Sequence, residues 1–181
     1  MLTGEAYRDY LLHQAQSHPG LQHTKDNLVF QMTSVEEAIG DLQDARFSTA
    51  GYLMRGIEPA YAFRTAADGL PQQQFQGGVL TAKSYSQREQ GTAGYQAALD
   101  AAENLMVDII EKMYADSEHG HPAFEQMAAE TLAITSRIRL VAGDGSFAGW
   151  IMLFTIDLPT KFCAPAERVN WLDGGLTPFD Q

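Results

Sequence analysis

Cysteine is almost missing from this chain. Its 181 residues hold one, Cys163, which excludes an internal disulfide and a cysteine-rich metal cluster. Basic residues are scarce as well: 12 Lys and Arg stand against 23 Asp and Glu, a net charge of −11. That balance argues against unaided binding to a DNA backbone, where phosphate contacts need Lys and Arg. It argues equally against an anionic membrane surface. Long apolar runs are absent too. The longest, Trp150-Ile151-Met152-Leu153-Phe154, falls far short of the ~20 residues that a spanning helix requires. The first residues, Met1-Leu2-Thr3-Gly4-Glu5, carry an early acid and no apolar stretch, so no secretory signal is expected and the chain is expected to stay in a cytoplasm.

What the sequence does contain is enough for a core. Apolar residues make up 45% and aromatics 10%, and a chain of this length buries roughly 70% of its unfolded surface. One domain is expected. Glu5–Gln16 reads as a helix, with Tyr7, Tyr10, Leu11, Gln14 and Ala15 at spacings of three and four, Thr3 as N-cap and His18-Pro19-Gly20 as its stop. Asn27–Thr33 reads as a short strand. Ser34 and Glu37 form a capping box that opens a short helix ending near Gln43.

Strand formers then dominate Phe47–Ile57 and Tyr61–Ala66, split by Glu58-Pro59, where a bulge, bend or strand start is expected because Pro59 has no N–H. After the Asp68-Gly69 turn and the polar run Gln72–Gln74, Phe75–Ser86 resumes as a strand and pairs with the first. Val79, Thr81, Lys83 and Tyr85 fall on one face of it and Leu80, Ala82 and Ser84 on the other. Gly91 and Gly94 precede the strongest local signal. From Tyr95 to Tyr114 the apolar positions Ala98, Leu99, Ala102, Leu105, Met106, Ile109, Ile110 and Met113 make a continuous helical stripe. Asp100, Glu103, Asp108 and Glu111 occupy the other face. This helix is expected to end near Glu118 and to cover a sheet.

Phe124–Ala129 reads as a short helix. Leu132–Ala142, the turn Gly143-Asp144-Gly145 and Phe147–Leu158 read as a β-hairpin. Its first strand sets Ile134, Ser136, Ile138 and Leu140 against Thr135, Arg137, Arg139 and Val141. Its second is apolar on both faces, with Trp150, Met152, Phe154 and Ile156 opposed to Ile151 and Leu153, so cover is expected on both sides. The long helix supplies one cover, and the N-terminal segment or a neighbouring subunit the other. Beyond Pro159 the tail is expected to be irregular, anchored by Phe162 and Trp171. The fold class expected is α+β: a largely antiparallel sheet packed by one long amphipathic helix, with N-terminal helices in 1–45, a sheet-plus-helix core in 46–158 and the irregular tail in 159–181.

A search for chemistry finds no convincing active site. Gly143–Gly149 misses the glycine spacing of a phosphate loop and lies between strands, so it reads as a hairpin turn. No nucleophile elbow is present. His119-Gly120-His121 offers two imidazoles, but a zinc site needs three or four converging ligands, and the stretch reads as an exposed loop. Glu36, Glu37, Asp41, Asp44, Asp100 and Glu103 lie on predicted helix exteriors, where no pocket shifts a carboxyl pKa. Cys163 reads as a small filler. Arg137 and Arg139 share a strand face, with Lys83 and Arg88 on or near another. They read either as a patch that steers a partner or as a solvated face whose Arg stems cover apolar neighbours.

Three stretches taken together resemble one family. They are Gly77-Gly78-Val79-Leu80-Thr81-Ala82-Lys83; the helix Tyr95–Asp116, with Leu105-Met106-Val107-Asp108-Ile109-Ile110-Glu111-Lys112-Met113; and Gly149–Ile156 leading into Phe162-Cys163-Ala164-Pro165 and Asn170-Trp171. In element order and texture this resembles the tail terminator, or tail-completion, proteins at the head–tail joint of tailed bacteriophages and prophages, over residues 46 to 172. The resemblance implies an α+β subunit whose sheets meet around a ring, commonly a hexamer, that caps the tail tube and faces the neck. It implies a structural virion protein assembled in the bacterial cytoplasm, not an enzyme, with no cofactor and no metal. Its partners would be its own copies, tail tube and neck or connector proteins. DNA would pass without specific binding through a bore whose carboxylates repel phosphate. The interface expected from these readings comprises Arg137, Arg139, Trp150, Met152, Phe162 and Trp171. The alternatives are another neck or tube component, a soluble adaptor of a bacterial mobile element, or an enzyme or ligand-binding module on the same α+β layer.

Overall fold

The computed structural model of the chain describes residues 4–40, 51–65, 69, 71–119, 132–141 and 146–158. Three helices, α1 (Gly4–Ser17), α2 (Val35–Gly40) and α3 (Gln87–Glu118), alternate with five strands: β1 (Phe30–Thr33), β2 (Tyr52–Thr65), β3 (Pro71–Ser84), β4 (Ala133–Val141) and β5 (Phe147–Leu158). The strands form one sheet in the order β1-β2-β3-β5-β4. β1 runs parallel to β2, and every other pair is antiparallel. The expected α+β class, the antiparallel sheet and its covering helix are all present.

Alternation along β3 and β5 builds two cores. Met54, Val79, Met152, Phe154 and Ile156 face α1 and α3, where Tyr7, Leu11, Leu105, Met106, Ile109 and Met113 meet them. Leu53, Leu80, Ala82, Phe147 and Ile151 face the other way and pack with Val35 and Ala38 of α2. The N-terminal segment is therefore divided: α1 lies beside α3 and α2 lies across the sheet from both. Ile151 and Ile156, on opposite faces of β5, are both fully buried within one chain. The doubly apolar strand needs no neighbouring subunit to cover it.

The eight stripe residues of α3 are all buried, each Leu, Ile and Met side chain among them contributing about 1.5–3 kcal/mol through removal from water. The helix starts earlier than the stripe suggests. Ser86, expected to end β3, instead caps α3 by accepting the Glu89 N–H at 3.3 Å. A first turn then runs to Gly91, whose φ of 55° and ψ of −145° break the helix before the stripe begins; a positive φ of this kind favours glycine. The capping box before α2 is formed on both sides. Glu37 N–H donates to Ser34 Oγ at 3.1 Å, and Ser34 N–H donates to Glu37 Oε2 at 3.2 Å. That backbone donor, with the Thr33 hydroxyl, holds the Glu37 carboxyl below its ordinary pKa.

Glu58-Pro59 forms a bulge. Ile57 pairs with Gly78 and Ala60 with Gln76, so β2 carries one extra residue and continues to Thr65 as a single strand. β3 begins at Pro71 and takes in Gln72–Gln74, which sequence alone leaves outside the strand. A second irregularity between Ile134 and Ser136 breaks the regular alternation expected in β4. The N-cap role of Thr3, the α2 extension to Gln43, the 124–129 helix, the 143–145 turn and the 159–181 tail lie outside the described residues.

Candidate interface on the sheet edge

β4 closes one side of the sheet. On its inner side it pairs with β5 from Ala133–Thr155 to Val141–Ala148. Its outer side carries no hydrogen bond among the described residues. β-branched residues make this stretch a strand, and three of them meet solvent: Ile134 is 51% exposed, Ile138 40% and Val141 49%.

Arg137 lies opposite Met152 and Arg139 opposite Trp150, so both arginines rise on the α3 side of the sheet. The Arg137 guanidinium stacks 4.3 Å from the centroid of the Trp150 ring and pairs with Glu103 of α3. Trp150 Nε1 donates to the Leu99 carbonyl at 3.3 Å. Arg139 lies 6.0 Å from the centroid of the Tyr95 ring and has no carboxylate partner among the described residues. Both guanidinium groups thus lie toward aromatic rings, while both arginines remain exposed.

The expected interface residues do not form one surface. Arg137 and Arg139 are exposed on β4, and Trp150 is half-buried beneath Arg137. Met152 is buried in the core with α3 and offers no surface. Phe162 and Trp171 lie outside the described residues. Lys83 does not join the arginines: it sits 3.8 Å from the Tyr52 ring centroid on β2, and burial lowers its pKa. Arg88 is exposed in the first turn of α3.

Sequence reasoning missed a second exposed position, Phe63, near the distal end of the β2–β3 pair. It is 73% exposed and lies opposite Gln73. The bulge sets its face: Tyr61, two residues earlier, meets the Phe75 ring edge-on at 5.7 Å on the α1 side. An odd-numbered residue without the bulge would join Leu53 and Ile57 on the α2 side. The signal available in the sequence was Glu58-Pro59.

Polar clusters elsewhere have structural partners. Asp157 is nearly buried, pairs with Arg64 and accepts from Gln74 at 3.1 Å. His119 is the C-cap of α3, its ring nitrogen 2.6 Å from the Ala115 carbonyl, and His121 lies outside the described residues. Glu36, Glu37 and Asp100 are exposed and Glu103 half-exposed; Asp41, Asp44 and Cys163 lie outside the described residues. Among the described residues no three His, Cys, Asp or Glu side chains converge as a metal site would require, and no helix is long and apolar enough to cross a membrane. An open groove beside the α1 N-terminus, lined by Glu5, Arg8, Met32, Glu58 and Pro59, lacks the enclosure and convergent polar groups of a small-molecule site. A scan against protein-family models finds no match to this chain, and a search of curated proteins finds none.

Proposed function

We propose that this chain is a structural subunit of a tailed-phage particle, a tail terminator or tail-completion protein that closes a ring at the head–tail joint. The reading rests first on the family resemblance of residues 46–172. The observation that carries it in the structure is the surface left apolar by a finished fold. Phe63 and Tyr61 project at the end of the β2–β3 pair and Ile134, Ile138 and Val141 line the opposite edge strand. Aromatic residues exposed in this way are frequent anchors of protein–protein contacts. In this reading copies meet through the distal β2–β3 pair, and the ring holds tail tube on one side and neck on the other.

Sedimentation and negative-stain imaging of the purified protein test this. A ring with a central hole, reduced to single subunits by Phe63→Ser, is the expected result. A monomer at every concentration counts against it.

One observation favours a second reading, a soluble adaptor of a bacterial mobile element. Both sheet faces are covered within a single chain, so an isolated subunit is a complete folding unit. The monomer outcome of the same measurement favours this reading.

A further inference from the structure

We propose that the outer edge of β4 is a docking strand for an extended, acidic segment of another protein, which adds to the sheet as a sixth strand. In an antiparallel pair the N–H and C=O groups of alternate residues point away from the partner, and along β4 those outward groups have no partner among the described residues. An edge of this kind is a template for strand addition unless charge or a bulge protects it. Here the bulge is confined to the Ile134–Ser136 end. The regular stretch Ser136–Val141 remains available, with Ile138 and Val141 exposed.

Charge selects the occupant. Arg137 and Arg139 stand two residues apart on the same face, the spacing at which successive side chains of an adjacent strand also recur. An incoming strand with carboxylates at alternate positions would set one against each arginine. Arg139 has no carboxylate partner among the described residues, and Arg137 shares its charge with a partly exposed Glu103.

A second copy of this chain fits poorly. A two-fold axis normal to the sheet brings residues of like parity opposite one another. The two registers that pair most of Ser136–Val141, centred on Ile138 or on Arg139, set Arg137 against Arg139 or Arg139 against Arg139, and like charges directly opposite are destabilising. The other sheet edge, β1, offers Phe30-Gln31-Met32-Thr33 and no carboxylate. The net charge of −11 does not prevent the pairing, because at physiological salt distant repulsion is screened within about 8 Å while contacts at the arginines are not. The inference does not depend on the ring reading, which uses the distal β2–β3 pair instead.

The test is fluorescence anisotropy of the full-length protein with labelled peptide probes at physiological salt. The first probe is a Thr/Val strand former with glutamates at two alternate positions. The second replaces both glutamates by lysine, the third keeps them but carries a central proline that removes an edge N–H, and the fourth is the chain's own 165–181 segment. The expected result is saturable binding of the first probe and at least fivefold weaker binding of the other three. Arg139→Glu, a surface change checked for folding by circular dichroism, is expected to weaken the first probe at least fivefold. No binding of the first probe overturns the proposal. So does equal binding of the proline probe, which would mean charge attraction without strand pairing. Equal binding of the 165–181 probe would assign the edge to this chain's own C-terminal segment.

Discussion

The Tyr7 hydroxyl holds both backbone polar groups of Gly78: it donates to the Gly78 carbonyl at 2.8 Å and accepts the Gly78 N–H at 3.2 Å. Gly78 is the last β3 residue paired with β2 before the register shifts at the bulge. A side chain from α1 thus serves a buried peptide group where the ladder is interrupted. The ring meets Phe75 edge-on at 5.1 Å and Phe154 at 6.2 Å, and burial drives the phenol pKa well above its ordinary value. Tyr7 therefore stays neutral and keeps its proton for the carbonyl.

Tyr7→Phe keeps the ring packing and removes the hydroxyl. Leaving buried backbone groups unsatisfied costs about 1–3 kcal/mol. Urea unfolding should show that loss with an unchanged slope. A change below about 0.5 kcal/mol would mean that water takes the place of the hydroxyl.

The stripe of α3 gives a graded expectation. Leu105→Ala, Ile109→Ala and Met113→Ala each remove a buried side chain and should cost about 2–5 kcal/mol. Val107→Ala, on the exposed side of the same helix, should stay within about 0.5 kcal/mol. Similar values for Val107 and its buried neighbours in denaturant titrations would contradict the packing of α3 on the sheet.

Gly149 faces Ala82 across the β3–β5 ladder. A Cβ there would collide with the Thr81 carbonyl oxygen and with Ala82. Neither obstacle is the free end of a flexible side chain, so the strands must separate. Gly149→Ala is expected to destabilise by about 1–3 kcal/mol or more, although it adds a single methyl group. A melting temperature equal to wild type would show that the two strands yield at no cost.

His23 supplies an acid-sensitive clasp for the loop that leads into β1. Its Nδ1 accepts the backbone N–H of Val29 at 3.2 Å and of Phe30 at 3.1 Å. Partial burial, then the charge of Arg55, lowers its pKa. The unfolded value is about 6.5. The stabilisation from neutral His23 is therefore complete above that pH and is lost as the pH falls through it toward the lower folded value. Wild-type melting temperature should fall more steeply below pH ~6.5 than that of His23→Ala. Parallel curves would remove the clasp.

Much of this architecture was legible because it rests on local period. Alternation in β3 and β5 placed Val79 and Leu80, or Met152 and Ile151, on opposite faces, and three-four spacing placed the α3 stripe. The polar stretch Gln72–Gln74 was not legible, because its strand state depends on cross-strand partners: Arg64 reaches Gln72 from the adjoining strand, and Gln74 reaches Asp157, 83 residues away. Nor could period say that α1 shares a sheet face with α3 while α2 takes the other, since every apolar face looks alike until it is docked. Within the candidate interface, the arginine pair was visible as a same-face doublet. The place of β4 at the end of the strand order was not, because strand order is a property of the whole sheet.

The extra residue at Glu58-Pro59 acts as a swivel in the β2–β3 pair. Deleting one residue there would turn Tyr61 and Phe63 to the reverse side of the molecule, while Leu53, Met54 and Ile57 kept their places. A lineage carrying this fold could thus move an aromatic contact from one side of the sheet to the other by losing a single codon, with every core residue unchanged.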